Sequence, residues 1–249
     1  MTPEFQPVQI ELLMPHEIRA AMAERPVVFM PLGTYEWHAE HLPIGLDALT
    51  AQGVCLHVAL RDGGLVCPPL YYGTGGGHGD YPFTIMMQGE AEIAALLRYS
   101  LVRLRDFGMQ LAVLFSGHFA PEQIRMIENI AAQWNDEGHS MQVLALAMNM
   151  GEDIPIEPDH AGMFETTLLA SLWPDRVDVS RLPPLEEGLP DADRGKSPFG
   201  AQRHDPQHPL HGIFGPDPRG YDPKGAPLLL DAMVGWLGAR VQQAFGSVR

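Results

Sequence analysis

The sequence has few cysteines, few basic residues and no long apolar run. Its two cysteines, Cys55 and Cys67, have a spacing that fits neither a metal-binding nor a redox motif, so we expect both to be reduced core residues. The 16 lysines and arginines are outnumbered by 31 aspartates and glutamates. The resulting net charge of −15 argues against a nucleic-acid partner.

No apolar stretch reaches the roughly 20 residues that a membrane-spanning helix needs. The amino-terminal MTPEFQPVQIELL also lacks the basic and then apolar layout of a signal peptide. We therefore expect a soluble, cytoplasmic protein with no membrane partner. A length of 249 residues with 45% hydrophobic residues suits one α/β domain spanning residues 1–249.

Short β-rich apolar runs alternate with stretches of helical period along much of the chain, which predicts parallel strands joined by crossover helices. We expect an α/β fold with a parallel-rich central sheet and helices on both faces. The predicted strands are 27–33, 111–115 and 141–148. The predicted helices are 48–60, 93–107, 121–135, 164–173 and 226–244. Proline, glycine and aspartate crowd residues 181–223, which predicts a long irregular excursion that serves as a lid or an oligomer contact.

The densest group of polar residues follows the first predicted strand, in GTYEWHAEHLPIGLD at 33–47. Side chains alternate faces in an extended segment, so Glu36 and His38 point the same way. A carboxylate with an imidazole suits Zn²⁺ or Mn²⁺, and a carboxylate such as Asp47 can bridge two ions. Taken singly, Asp47 is better explained as a helix cap and His38 as a surface imidazole, but the group as a whole favours a metal site.

His118 ends a predicted strand in SGHFAPEQ. Ligands of open α/β sheets bind beyond the carboxyl ends of the strands, so we expect His118 to join Glu36 and His38 as a metal ligand. Glu122 lies in the first turn of the next predicted helix, where the helix dipole favours an acidic side chain whatever its function.

Two further segments supply candidates for substrate binding and proton transfer. YYGTGGGHGDYPFT at 71–84 lacks the lysine and the helix of a phosphate-binding loop, so its glycines are better explained by close approach to a small substrate. In EPDHAGMFETT at 157–167, His160 beside Asp159 forms a candidate acid–base pair that can protonate a leaving amine. A buried histidine bonded to backbone explains His160 equally well.

These segments, in this order, resemble the motifs of the creatininase family of metal-dependent amidohydrolases. PLGTYEWHAEHLPIGLD resembles P-x-G-x-x-E-Q-H-G-x-H-L-P-x-x-x-D, and HGDYPFT resembles H-x-x-F-P-G-T. SGHFAPE resembles N-G-H, DHAGMFETT resembles H-A-G-x-F-E-T-S, and GIFGPDP resembles G-V-x-G-x-P. The resemblance covers nearly the whole chain and is specific for the family, though not for a substrate.

The resemblance implies a three-layer α/β/α fold, a homo-oligomer of six chains and two divalent ions. Zinc ranks first among the candidate ions, with manganese or iron as the alternatives. Four residues occupy the ligand positions of the family, with the aspartate as the bridge: Glu36, His38, Asp47 and His118. The fifth ligand is Glu165 of the F-E-T-S motif, with Glu122 as its rival, because Ala120 stands where creatininase has a ligating glutamate.

The resemblance also assigns the chemistry. His160 matches the catalytic histidine, with Asp159 beside it, and His78 and Trp37 are expected to contact the substrate. Phe83, Trp37 and Ala39 replace the usual Gly, Gln and Gly, so we expect a small-molecule amide other than creatinine. The alternatives are a formamide deformylase, a peptide-trimming amidase, or a degenerate member that serves binding or assembly.

Overall fold

The computed structural model describes residues 7–86, 89–184 and 201–247. The strands of this part of the chain are β1 (Val27–Leu32), β2 (Leu65–Val66), β3 (Leu111–Ser116) and β4 (Gln142–Ala147). The α-helices are α1 (Pro15–Glu24), α2 (Leu46–Asp62), α3 (Ala91–Phe107), α4 (Pro121–Asp136), α5 (Met163–Leu172) and α6 (Ala226–Gly246). Short 3₁₀ helices form Ile10–Leu12, Met148–Met150, Pro174–Arg176, Val179–Arg181, Ala201–His204 and Pro218–Gly220. The predicted elements are confirmed, with ends that differ by one or two residues.

The strands form one parallel sheet in the order β2-β1-β3-β4. Leu32 at the end of β1 pairs with Ser116 at the end of β3, and Ser116 pairs with Ala147 of β4. The carboxyl ends of these three strands therefore lie side by side. Everything that follows them directly in the chain emerges at one edge of the sheet.

Helices cover both faces of the sheet, as the sequence predicted. Phe29 and Phe115 point to one face, where they pack in a core with α2, α5 and α6. Val28 and Leu114 point to the other face and pack against α3 and α4. Both β1 and β3 are buried along their whole length, which explains why they read as continuous apolar runs rather than alternating ones.

Two glycines bring the sheet edge against the start of α2. A Cβ on Gly33, just after β1, would overlap the backbone nitrogen of Ala48. A Cβ on Gly117, just after β3, would overlap the carbonyl oxygen of Asp47. Only glycine permits this approach. The first turn of α2 is thereby held between the ends of β1 and β3.

The excursion at 181–223 is irregular where it is described, and residues 185–200 lie outside the described part. Phe214 forms an antiparallel bridge with His160 through backbone hydrogen bonds, so the excursion reaches the carboxyl edge of the sheet.

Both cysteines are unpaired, Cys55 buried and Cys67 half-buried. No helix in the described residues is long and apolar enough to span a membrane.

Candidate metal centre

The five residues predicted as metal ligands converge at the carboxyl edge of the sheet, although they come from four separate segments of the chain. Glu36 and His38 lie in the loop after β1, Asp47 lies in the first turn of α2, and His118 follows β3. Glu165 lies in the first turn of α5. All five are 0–4% exposed. Three carboxylates and two imidazoles are thus removed from water together.

The five side chains form two groups that share Asp47, and a third group joins Glu36 and His38 to His160. Glu36, Asp47 and His118 make one group, and His38, Asp47 and Glu165 make the other, with the ligand atoms of each group within 4.8 Å of one another. His118 Nδ1 lies 3.0 Å from Glu36 Oε2 and 3.3 Å from Asp47 Oδ2. His38 Nε2 lies 3.1 Å from Asp47 Oδ1 and 3.4 Å from Glu165 Oε2. Each carboxylate oxygen of Asp47 therefore faces a different imidazole.

Backbone carbonyls fix the orientation of both imidazoles. His38 Nδ1 donates to the carbonyl oxygen of Glu36 at 2.9 Å, and His118 Nε2 donates to that of Thr74 at 3.2 Å. A carbonyl oxygen can only accept, so the proton of each neutral ring is on the outer nitrogen. In this neutral form of the ring, the inner nitrogen has the lone pair and faces the carboxylates. Metal-ligating histidines are held in this way.

Several buried polar atoms at the centre have no hydrogen-bond partner. They are Glu36 Oε2, His38 Nε2 and Asp47 Oδ2. Buried carboxylates without compensation are costly, and no lysine or arginine among the described residues lines this cavity. The donor set of oxygen and imidazole nitrogen suits zinc or manganese. The residues present therefore fit divalent cations.

The pKa shifts of the site residues also indicate that the buried carboxylates favour a positive charge beside them. Burial disfavours the imidazolium form of His38, but the carboxylates of Glu165 and Asp47 outweigh this effect and raise its pKa to about 10. The carboxylates of Glu36 and Asp47 raise the pKa of His118 in the same way, against its burial. Burial raises the pKa of Glu165 well above its ordinary value.

His160 lies beside the two groups but is held differently. Its Nε2 donates to the carbonyl oxygen of Trp37 at 3.1 Å, which leaves the lone pair on Nδ1, 4.0 Å from Glu165 Oε2. Burial lowers the pKa of this ring to about 3, so the imidazole is neutral. A neutral imidazole with a free Nδ1 can accept a proton at the centre.

Asp159 does not contact the His160 ring, which corrects the expected pairing. Its carboxylate accepts hydrogen bonds from the backbone N–H groups of Gly162 at 3.1 Å and Phe164 at 3.2 Å. A short carboxylate at the start of a helix satisfies amides that have no partner within the helix. Burial raises the pKa of Asp159 to about 6 in spite of these donors. Asp159 therefore fixes the loop that carries His160 and the start of α5.

A cavity of about 310 Å³ opens onto the centre. His78 lines it and makes a short hydrogen bond to Glu36, so this predicted substrate residue lies at the site. His204 and Phe214 also line the cavity, and Phe214 stacks on His78 with ring centroids 5.2 Å apart. Sequence reasoning missed both roles. Phe214 lies in the quoted GIFGPDP segment, whereas His204 has no motif around it.

Other candidates lie elsewhere. The Trp37 ring does not line the cavity and lies against Phe83, with centroids 6.4 Å apart, although its carbonyl holds His160. Glu122 accepts a hydrogen bond from the N–H of Gly76 at 3.3 Å and belongs to neither group around Asp47. His41, which belongs to the same polar segment 33–47, forms a hydrogen bond between its Nε2 and the Thr166 hydroxyl at 3.0 Å.

Comparison with known proteins agrees with this geometry. A family model for creatininase, described as creatinine amidohydrolase, matches residues 11–241. A creatinine amidohydrolase of Pseudomonas putida is 28% identical over 193 residues, which cover 67% of this chain and 72% of that protein. A mycofactocin precursor peptide peptidase of Mycobacterium ulcerans (strain Agy99) is 30% identical over 184 residues, or 68% and 70% of the two chains.

Solved structures match over almost the whole chain. A crystal structure of creatinine amidohydrolase (creatininase) has a TM-score of 0.75 at 24% identity and covers 96% of this chain and 98% of its own. A manganese form of creatininase and a zinc–zinc form of a mutant cover the same shares, each with a TM-score of 0.75 at 23% identity. The α/β fold predicted from the sequence is that of creatininase.

Proposed function

The chain belongs to the creatininase family, and we propose that it is a metal-dependent amidohydrolase that cuts a non-peptide or cyclic C–N amide bond of a small molecule. Membership makes the chain a hydrolase acting on C–N bonds. The observation that carries the proposal is the position of Asp47, whose carboxylate belongs to both groups of ligands. A carboxylate shared in this way is what a site for two ions requires.

The proposed ligands are Glu36, His38, Asp47, His118 and Glu165. Divalent ions held by these residues would supply a water of lowered pKa and would polarise the carbonyl of the amide. Zinc is our first choice, with manganese or iron as alternatives, since all three accept this donor set. Three buried carboxylates, two of them with an unpartnered oxygen, support cations rather than an apolar ligand at this place.

We assign the proton transfer to His160. Its free Nδ1 takes a proton as water adds to the amide carbon, and the resulting imidazolium passes it to the leaving nitrogen as the C–N bond breaks. The carbonyl of Trp37 holds the opposite edge of the ring and prevents it from turning. Asp159 acts as a positioning residue, because it fixes the loop and α5 without touching the ring.

A second candidate substrate is an amide within a peptide. It is supported by the 30% identity to a precursor peptide peptidase. The same ligands and the same histidine would serve either bond, and a formamide deformylase is a third version of that chemistry. Product analysis by mass spectrometry separates these cases, since the fragments released from a peptide, a ring and a formamide differ in mass.

We also propose one domain over residues 1–249, a cytoplasmic location and assembly as a homo-oligomer of six chains. Assembly is supported by an apolar groove beside α3, where Leu96 and Tyr99 are 51% and 75% exposed. Large apolar side chains exposed together are typical of contact surfaces. Sedimentation velocity tests the assembly, since a single species at the monomer mass contradicts it.

The test of the function is metal content per chain, followed by activity. Elemental analysis of protein purified without chelator should give about two ions per chain, and Asp47→Ala should lose most of both. Glu40→Ala is the matched control, because Glu40 belongs to the same segment but is exposed. Wild-type protein that stays free of metal after reconstitution contradicts the proposal. Loaded protein is then screened on small cyclic, formyl and peptide amides.

A further inference from the structure

Among the described residues, the cavity in front of the metal centre has an imidazole donor that has no role in holding the protein together. Four histidines among the described residues line it: His78, His118, His160 and His204. His78 donates from Nδ1 to Glu36, His118 donates from Nε2 to Thr74, and His160 donates from Nε2 to Trp37. The other nitrogens of His118 and His160 face the carboxylates of the centre. Of these four described histidines, His204 is the one whose ring N–H is not already donated to another described residue.

Tyr81 determines which nitrogen of His204 carries that proton. The Tyr81 hydroxyl lies 2.7 Å from His204 Nδ1. A phenol is the better donor and an unprotonated imidazole nitrogen the better acceptor, so the hydroxyl donates and the proton of the neutral ring is on Nε2. The two rings are nearly parallel, at an interplanar angle of 7°. Tyr81 also contacts His78 edge-on at 5.1 Å, so the pair is anchored to the wall of the cavity.

Phe214 also packs against His204. The two ring centroids are 4.7 Å apart, and Phe214 is itself held by its backbone pairing with His160. His204 is exposed, although it lines the cavity. An exposed imidazole that already packs against two aromatic rings loses little further freedom when it binds a ligand.

We propose that His204 recognises the substrate by donating from Nε2 to an oxygen acceptor other than the carbonyl that is cut. The substrate class is therefore an amide with a second carbonyl or a carboxylate near the scissile bond, and its apolar part lies against Phe119 and Phe214. This inference rests on the proposed function, since it names the substrate class of the same site. Tyr81 is a positioning residue, because it acts through His204.

Three probes of similar size test the inference on the zinc-loaded protein. N-benzoylglycine carries a carboxylate, N-benzoylglycinamide carries a second carbonyl, and N-propylbenzamide carries neither. Dissociation constants are measured by NMR titration, which also reports hydrolysis in the same samples. We expect the two oxygen-bearing probes to bind roughly three- to tenfold more tightly than N-propylbenzamide, and the carboxylate more tightly still if it is the natural acceptor.

Variants test whether His204 causes the tighter binding of the two oxygen-bearing probes. His204→Phe keeps a ring against Tyr81 and Phe214 but has no donor, so the preference should disappear. Tyr81→Phe should reduce it and should shift the ¹⁵N resonances of His204 towards a mixture of tautomers, which a merely structural role would leave unchanged. His16→Phe, on an exposed face of α1, is the matched control.

Either of two results overturns the inference. One is equal or undetectable binding of the three probes to the wild type. The other is a preference that persists in His204→Phe, since the acceptor would then be bound elsewhere, for instance at the ions. A protein that binds two ions and cuts simple amides but has no such preference refutes this inference alone. A protein that binds no metal refutes the proposed function instead.

Discussion

Replacing Glu165 with glutamine tests the least expected member of the ligand set. Glu165→Gln keeps the volume and an oxygen that can accept the hydrogen bond that Ala161 N–H donates at 2.6 Å. It removes the charge that faces His38 at 3.4 Å. The fold should survive, because the N–H of Ala161 is not left without an acceptor. An ion bound by the group of His38, Asp47 and Glu165 would then keep two of its three strong ligands from the protein.

The magnitude follows from that count. Loss of an outer hydrogen-bond partner alone costs about 10- to 100-fold in metal affinity, and a direct ligand should cost at least as much. After gel filtration the variant should therefore contain close to one ion per chain in elemental analysis, and its turnover should fall at least 100-fold. Glu122→Gln is the comparison, because Glu122 belongs to neither ligand group. Retention of both ions in Glu165→Gln with loss in Glu122→Gln would refute the assignment and make Glu122 the fifth ligand.

Three further predictions concern proton transfer, strain and pH. His160→Ala should slow turnover severely while elemental analysis still finds two ions; loss of an ion would make His160 a ligand instead. Ala39 has a left-handed φ of 56°, so Ala39→Val should lower the free energy of unfolding in urea by about 2 kcal/mol, whereas Ala39→Gly should change it by less than about 1 kcal/mol. In protein stripped of metal, His38 has a pKa raised from 6.5 to about 10, so its stabilising effect is complete below pH 6.5 and is lost as the pH rises through 10. Zinc binds the unprotonated ring. The rise in melting temperature that zinc causes should therefore grow from about pH 6 to about pH 9. The same rise at every pH would contradict this prediction.

The sequence predicted the parts of the site that depend on strand ends. Glu36, His38 and His118 follow β1 and β3 directly, and parallel strands in register bring their ends together. Asp47 was also predicted, although the close approach of Gly33 and Gly117 that places it is visible only in the structure. Residue type and position relative to a strand were sufficient to place Glu36, His38 and His118 at the same edge.

Other parts of the site depend on contacts that no local pattern encodes. Adjacent Asp159 and His160 suggested a hydrogen-bonded pair, but the backbone amides of α5 compete for the same carboxylate and satisfy it. His204 reaches the cavity through a long irregular connection, and neither hydrophobic period nor motif constrains where such a connection folds. Trp37 illustrates a third case, because its backbone contributes to the site while its ring lies outside the cavity.

The carbonyl anchors of His38 and His118 have a consequence for how the protein acquires its ions. Both rings are held by contacts within the chain, at 2.9 Å and 3.2 Å, so the ligand geometry does not wait for an ion to organise it. Loading is then an exchange of protons for cations in a folded protein rather than a step of folding. On the proposed function, rival divalent cations would compete for the same preformed ligands, and their relative abundance during biosynthesis would decide which of them is bound.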